Sequence, residues 1–204
     1  MQRYRFYREH KYVLHQLGEV QQKIARCDFT KKDEVDSVEQ EFLNLKSMLH
    51  FHAEHENKSI HELLRIKGSR IHESCEREHG EQEALLAQIQ FQFDLIRTLD
   101  DLQTRMDHGQ ELYLLYRTFH AEMLIHLNDE ETLIMPELQR LCTDEELGSV
   151  DAKTYELMGA EDMIQMLEVL SPHMNASDYD FFLEDIRRTQ PEKYEIVARS
   201  FARA

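Results

Sequence analysis

Glycine, proline and tryptophan are scarce in this chain of 204 residues, which has six glycines, three prolines and no tryptophan. Glycine and proline interrupt helices, and an apolar–polar alternation with a period of two, the mark of a half-buried strand, is also absent over any useful length. The abundance of Leu, Glu, Gln, Arg and Met favours helix instead. The sequence therefore predicts an all-α chain, long enough for one core or for one domain with an appendage.

Positive charge and long apolar runs are scarce as well. The chain has 24 lysines and arginines against 40 aspartates and glutamates, which gives a net charge of −16. This charge repels phosphate backbones and anionic membrane surfaces, so nucleic acid is not expected as a partner. No apolar run approaches the roughly 20 residues of a membrane span, and no apolar segment of a signal peptide follows the first residues. We therefore expect a soluble protein without membrane association.

Cysteine is too rare for a disulfide framework. Cys27, Cys75 and Cys142 are odd in number, widely spaced and without a Cys-x-x-Cys pair. Such usage is typical of a reducing compartment. The sequence predicts a cytoplasmic protein.

The helical periodicity predicts four long helices in the first part of the chain. Their approximate ranges are 5–24, 34–66, 71–104 and 110–141, with a polar loop at 28–33 and turns at 67–69 and 107–109. Pro136 is expected to bend the fourth helix or to end its regular part. Four helices with short connections favour an up-down-up-down bundle over residues 1–141.

Residues 142–204 are predicted to form a helical C-terminal extension packed on the bundle. Thr143 caps a short segment, and helices are expected at about 151–170, 177–189 and 191–204, with a break at Ser171-Pro172. Eleven of the twelve histidines lie at or before His126, so any histidine chemistry belongs to the bundle. The extension is a candidate surface for oligomerisation or for a protein partner.

One pattern of apolar residues, a histidine and a glutamate occurs twice. The first copy is Leu45, Leu49, His52, Glu56 and Ile60, and the second is Phe119, Met123, His126, Glu130 and Ile134. A helix turns about 100° per residue, so a step of four residues returns to nearly the same face about 6 Å along. Each copy therefore directs an imidazole and a carboxylate the same way, and two such helices facing each other would make a metal site.

A histidine followed by a glutamate four residues later is by itself a weak signal. It occurs at six histidines of this glutamate-rich chain: His15, His50, His52, His72, His79 and His126. In the two repeated copies, His52 with Glu56 and His126 with Glu130 lie on one apolar stripe, which predicts that these glutamates are buried. Buried carboxylates cost several kcal/mol unless they are paired or coordinated, and a metal ion offsets that cost.

Two further histidines extend this predicted site. His10 precedes Leu14 and Leu17 at helical spacing, and His79 shares a stripe with Leu86 and Phe93. Four imidazoles and two carboxylates would then converge from four helices. Imidazole suits iron and zinc, and a carboxylate can bridge two ions.

These residues resemble the hemerythrin-like, or HHE cation-binding, family over roughly residues 5–140. The resemblance rests on Glu9-His10, His52-Ala-Glu-His-Glu56, Glu78-His79, and His126-Leu-Asn-Asp-Glu130-Glu131 followed by Pro136. It implies a centre of two iron ions, with a bridging oxo or hydroxo group and with zinc as the alternative occupant. The metal ligands that it implies are His10, His52, Glu56, His79, His126 and Glu130, of which Glu56 and Glu130 would bridge.

The chain departs from the oxygen-carrying members of that family. On the third helix, they have a second histidine four residues after the first, and this chain has Glu83 at that position. On the fourth helix, they have an aspartate five residues after the histidine, whereas this chain has Glu130 four residues after His126. The resemblance is thus nearer to the broad group that includes sensors and proteins handling iron, dioxygen or nitric oxide. It implies a protein that binds or senses dioxygen or a related diatomic, at an open site lined by Leu14, Leu49, Phe119 and Met123.

Two alternatives stay open. The same scaffold suits a di-iron enzyme that reduces peroxide or nitric oxide or oxidises ferrous iron, although no catalytic residue is assigned. It also suits a zinc-binding or metal-free structural bundle. His72, Glu83 and Cys75 are candidates for an added ligand, with His72 expected to be solvated and Cys75 to be a core residue, while His61 and His108 are expected at the surface.

Overall fold

The computed structural model describes residues 3–201, which contain helices and no strand. The α-helices are α1 (His10–Arg26), α2 (Lys32–His55), α3 (His61–Ile66), α4 (His72–Thr98), α5 (Leu102–Asp129), α6 (Met135–Leu141), α7 (Asp144–Leu157), α8 (Ala160–Leu170), α9 (Ala176–Thr189) and α10 (Pro191–Phe201). π-Helical turns at Glu56–Ile60 and Glu130–Ile134 follow α2 and α5, and a 3₁₀ turn at Ser171–His173 follows α8. The prediction of an all-helical chain is confirmed for these residues. In this part of the chain, no helix is both long and apolar enough to span a bilayer.

The chain groups into two compact units, one formed by residues 13–132 and the other by residues 3–12 with 133–201. The predicted functional division between residues 141 and 142 stays a prediction, as does the packing of the extension on the bundle. The final residues of the predicted last helix, 202–204, lie outside the described residues.

The unit of residues 13–132 has one apolar core to which α1, α2, α4 and α5 all contribute. Its largest fully buried side chains include Leu17 from α1, Phe42 from α2, Phe93 from α4 and Phe119 from α5. These residues recur at helical spacing in the sequence, so each helix buries one stripe. The buried hydroxyl of Tyr116 donates a hydrogen bond to the carbonyl oxygen of Leu17 at 3.0 Å, which satisfies the one polar atom of that side chain.

The other unit holds the N-terminal segment against the C-terminal helices. Arg3 Nε lies 2.7 Å from Asp144 Oδ1, and the buried Tyr4 hydroxyl contacts the carboxylates of Asp151 and Asp185. A separate apolar core, which includes Phe182, is built from α7, α8, α9 and α10. Thr143 caps α7 as predicted, through a reciprocal pair of hydrogen bonds with Glu146.

Three predicted boundaries are wrong. The first helix begins at His10 rather than near residue 5, after Tyr7 adopts a left-handed φ of 68°. The predicted turn at 107–109 lies inside α5, because the chain turns earlier and Asp101 caps α5 by accepting a hydrogen bond from the Thr104 amide at 2.8 Å. The predicted helix at 151–170 is two helices, α7 and α8, which meet at Met158–Gly159.

Gly109, within α5, is needed for close packing rather than for a turn. A Cβ atom built there would lie 2.3 Å from ring atoms of Phe29, whereas one at Gly18 in α1 would meet nothing within 4 Å. We expect Gly109→Ala to lower the free energy of unfolding by about 1–3 kcal/mol through overpacking. Gly18→Ala should raise it by up to about 1 kcal/mol through helix propensity. Urea unfolding of both variants tests this, and an equal response at the two sites would contradict it.

Candidate metal centre

Each of the two glutamates predicted to bridge begins a π-helical turn. Glu56 opens the turn that follows α2, and Glu130 opens the turn that follows α5. Both side chains are fully buried, although each is followed by a run of polar residues. π-Turns inside helices are uncommon and frequently mark functional sites. Their occurrence at both glutamates sets these two positions apart from the rest of the helices.

Around these carboxylates the structure collects imidazole nitrogens. His126 Nε2 lies 3.3 Å from Glu130 Oε1, and His79 Nε2 lies 3.4 Å from Glu56 Oε2 and 3.8 Å from Glu130 Oε1. His52 Nε2 lies 3.3 Å from Glu56 Oε1. The histidines and glutamates of the predicted apolar stripes therefore meet in one cluster inside this unit.

The donor atoms form two groups that share both glutamates. One ligand atom from each of Glu56, His79, His126 and Glu130 lies within 4.8 Å of the others, and the same holds for His52, Glu56 and Glu130. A carboxylate has two oxygens and can face two ions at once. Buried groups of histidine and glutamate in this arrangement could hold metal ions, and the sharing of both carboxylates suits a pair of them.

Outer hydrogen bonds fix the orientation of two imidazoles. His126 Nδ1 donates to Glu78 Oε2 at 2.9 Å, and His79 Nδ1 donates to Asn57 Oδ1 at 3.2 Å. With both Nδ1–H groups directed outward, the Nε2 atoms of the two rings face each other at 3.0 Å. Two lone pairs at that distance repel, so a proton or a metal ion is required between them. Histidines that bind metals ordinarily have such an outer partner.

The two rings differ in how they hold a proton. Burial alone would lower the pKa of His126, but the carboxylates of Glu130 and Glu78 outweigh it and raise that pKa to about 9. Burial and the neighbouring His126 lower the pKa of His79 to about 3. Without metal the proton is therefore held more strongly by His126 than by His79, and the His126 Nε2–H faces both Glu130 Oε1 at 3.3 Å and His79 Nε2 at 3.0 Å.

His61 corrects an expectation from the sequence, since it is fully buried rather than at the surface. Hydrogen bonds in a π-turn join residues five apart, and the His61 amide donates to the Glu56 carbonyl oxygen, so His61 lies on the face of Glu56. Its Nδ1 donates to Asn57 Oδ1 at 3.0 Å, and its ring stacks on that of His79 at 5.8 Å between centroids. Asn57 thus positions two imidazoles with one oxygen.

The other histidine and cysteine candidates have different surroundings. His72, the first residue of α4, is buried rather than solvated as predicted. Its ring lies 6.0 Å from that of the buried His61. Cys75 is buried as expected, and burial with the nearby carboxylate of Glu130 raises the pKa of its thiol to about 12. Its sulfur nevertheless lies within 4.8 Å of ligand atoms of Glu78 and His126. Glu83 is exposed.

His10 belongs to the other compact unit. It is the first residue of α1, its side chain is buried, and its ring lies 4.7 Å from that of Tyr7. Its predicted place among the ligands stays a prediction, as does the ligand role of the five residues that the structure brings together.

Neither Asn57 nor Glu78 was assigned a role from the sequence. Glu78 precedes His79 directly, and a carboxylate beside a candidate ligand is a signal that could have identified it.

Comparison of the chain with models of protein families, with curated proteins and with solved structures finds no match. The inference of function therefore depends on the geometry of this site.

Proposed function

We propose that the protein is a hemerythrin-like, non-haem di-iron protein that binds or senses dioxygen or a related diatomic. The observation that carries the proposal is the pair of fully buried carboxylates, each at the start of a π-turn and each belonging to two groups of donor atoms that include histidine nitrogens. Two buried carboxylates together with imidazoles are the donor set expected for two ions of iron. A reduced di-iron pair would supply electrons and open coordination positions for a diatomic ligand.

The residues of this chain perform the remaining tasks. Glu56 and Glu130 would neutralise the charge of the ions and keep them close together, while Glu78 and Asn57 fix the rings of His126 and His79. Leu49, Phe119 and Met123 are buried beside the ligand stripe and keep bulk water away. Exclusion of water strengthens every electrostatic interaction within such a site.

The arrangement of helices supports the same proposal. One core is shared by α1, α2, α4 and α5. The connections from α1 to α2, from α3 to α4 and from α4 to α5 are each 3–5 residues long. Short connections favour antiparallel neighbours, so we propose the up-down-up-down bundle for residues 13–132. His10 would supply a further ligand to the group that contains His52, and α6 to α10 would transmit the state of the centre to a partner.

Metal content is the measurement that tests this function. We expect the protein, purified without a histidine tag and loaded anaerobically with ferrous iron, to hold two irons per chain by mass spectrometry. Near-ultraviolet absorption bands should then change on exposure to air and again on reduction. Zinc as the only tightly bound metal would instead support a structural site without redox function. Failure to bind any metal after anaerobic loading would overturn the proposal.

A further inference from the structure

A cleft between α2 and α4 has His79 and Asn57 of the candidate metal centre in its lining. Its volume is about 340 Å³, and its lining includes the exposed residues His50, Gly80 and Glu83 as well as His79, whose side chain is 8 % exposed. Buried Leu49, Leu86 and Met123 also line it, with Met123 contributed by α5. One of the proposed ligands thus lines a cleft in the side of this unit.

The lining of the cleft favours an uncharged molecule. Glu54 lies 3.1 Å from Lys58 and Glu76 pairs with Arg65, so two of its three acidic residues have cationic partners, while no lysine or arginine lines the cleft itself. A charged species would lose hydration beside the buried side chains of Leu49, Leu86 and Met123, which is costly. A small neutral molecule loses little, because its hydration is weak.

Gly80 lines the cleft without a side chain of its own. It lies within α4, where a glycine costs about 1 kcal/mol relative to alanine. A Cβ atom built on Gly80 would meet no heavy atom within 4 Å, so neither close packing nor a left-handed backbone explains the glycine. Ala53, another small residue, also lines the cleft, on α2. The space left open by these two residues is the feature that a larger side chain would remove.

We propose that this cleft is the path by which a small uncharged molecule of the dioxygen or nitric oxide kind reaches the candidate metal centre, and that Gly80 keeps the path open. The proposal rests on the proposed function for the identity of the molecule. The path itself can be tested without iron, because dissolved dioxygen is paramagnetic and speeds the relaxation of nuclei that it approaches.

The first test uses the full chain in a diamagnetic state, with zinc or with no metal. We expect dissolved dioxygen to accelerate relaxation of the Met123 methyl group strongly, and Gly80→Leu to reduce that effect several-fold. Gly18→Leu is the matched control, since Gly18 is also a helical glycine with nothing within 4 Å of a built Cβ, and it lies on α1. An unchanged effect of dioxygen in Gly80→Leu would overturn the path, as would a weak effect in the parent protein.

The second test separates this proposal from the function on which it rests. In iron-loaded protein, Gly80→Leu should retain the iron content of the parent while its absorbance change on mixing with dioxygen slows several-fold. Gly18→Leu should match the parent in both measurements. Equal rates in the two leucine variants would overturn the path even if iron is bound. If the parent binds no iron, the proposed function fails, and the relaxation measurement alone decides the path.

Discussion

In protein loaded with metal, Glu130→Gln is expected to lose both ions of the proposed centre, whereas His52→Ala should mainly weaken the binding of one. Glu130 contributes to both groups of donor atoms, while His52 belongs to one of them. A carboxamide has the size of the carboxylate but lacks its negative charge and its second anionic oxygen, so it cannot bridge two cations. Loss of an outer partner of a ligand typically costs 10–100-fold in affinity, and loss of a shared ligand should cost more than about 100-fold. Metal content after dialysis, and affinity by competition with a chelator, measure the difference.

Glu39→Gln is the matched control for this experiment. Glu39 is a buried glutamate of the same unit, but it contacts Gln90 at 2.6 Å and Arg97 at 2.9 Å rather than the histidine cluster. We expect this variant to lose stability because a charged partner of Arg97 is removed, and to keep its metal. The prediction would be contradicted by full metal content in Glu130→Gln, or by an equal loss of metal in Glu39→Gln with the fold intact by circular dichroism.

The burial pattern of the site was predictable from spacing alone. All five members of the stripe from Phe119 to Ile134 are buried, and in the stripe from Leu45 to Ile60 only His52 is partly accessible, with 10 % of its side chain exposed. The spacing of apolar residues predicts which helical positions are buried, because an α-helix has 3.6 residues per turn regardless of the elements that pack against it. The same argument correctly separated these histidines from His15 and His50, which are exposed.

The features that were missed depend on tertiary structure. A π-turn adds one residue to a turn, and nothing in the sequence Glu56-Asn-Lys-Ser-Ile60 marks it, so His61 was assigned to the wrong face. The role of Asn57 follows from that turn and could not be found without it. The early end of the third helix was missed because the capping signal Asp101-x-x-Thr104 competes with a glycine at 109 that is used for packing instead of for a turn.

The raised pKa of His126 connects metal binding to pH. In the metal-free protein this pKa is about 9, so His126 carries its extra proton at pH 7, and a metal ion must displace that proton to reach Nε2. A folded-state pKa above the unfolded value stabilises the metal-free protein fully below about pH 6.5, and this stabilisation is lost as the pH rises through about 9. Over the same range the proton competes less with the metal. Stabilisation by metal should therefore increase as the pH rises.

From this competition we expect zinc affinity to rise about tenfold per pH unit, or about 100-fold between pH 6 and pH 8, from His126 alone. Calorimetric titrations in two buffers with different ionisation enthalpies should reveal proton release of about one per chain at pH 7 from this residue. In Glu78→Gln the outer carboxylate is lost, which lowers the pKa of His126, so both the pH dependence and the proton release should decrease. Glu83→Gln, an exposed glutamate on the same helix, should leave them unchanged. Equal affinity at pH 6 and pH 8 would mean that His126 does not exchange its proton for the metal, and Nε2 would then not be a ligand.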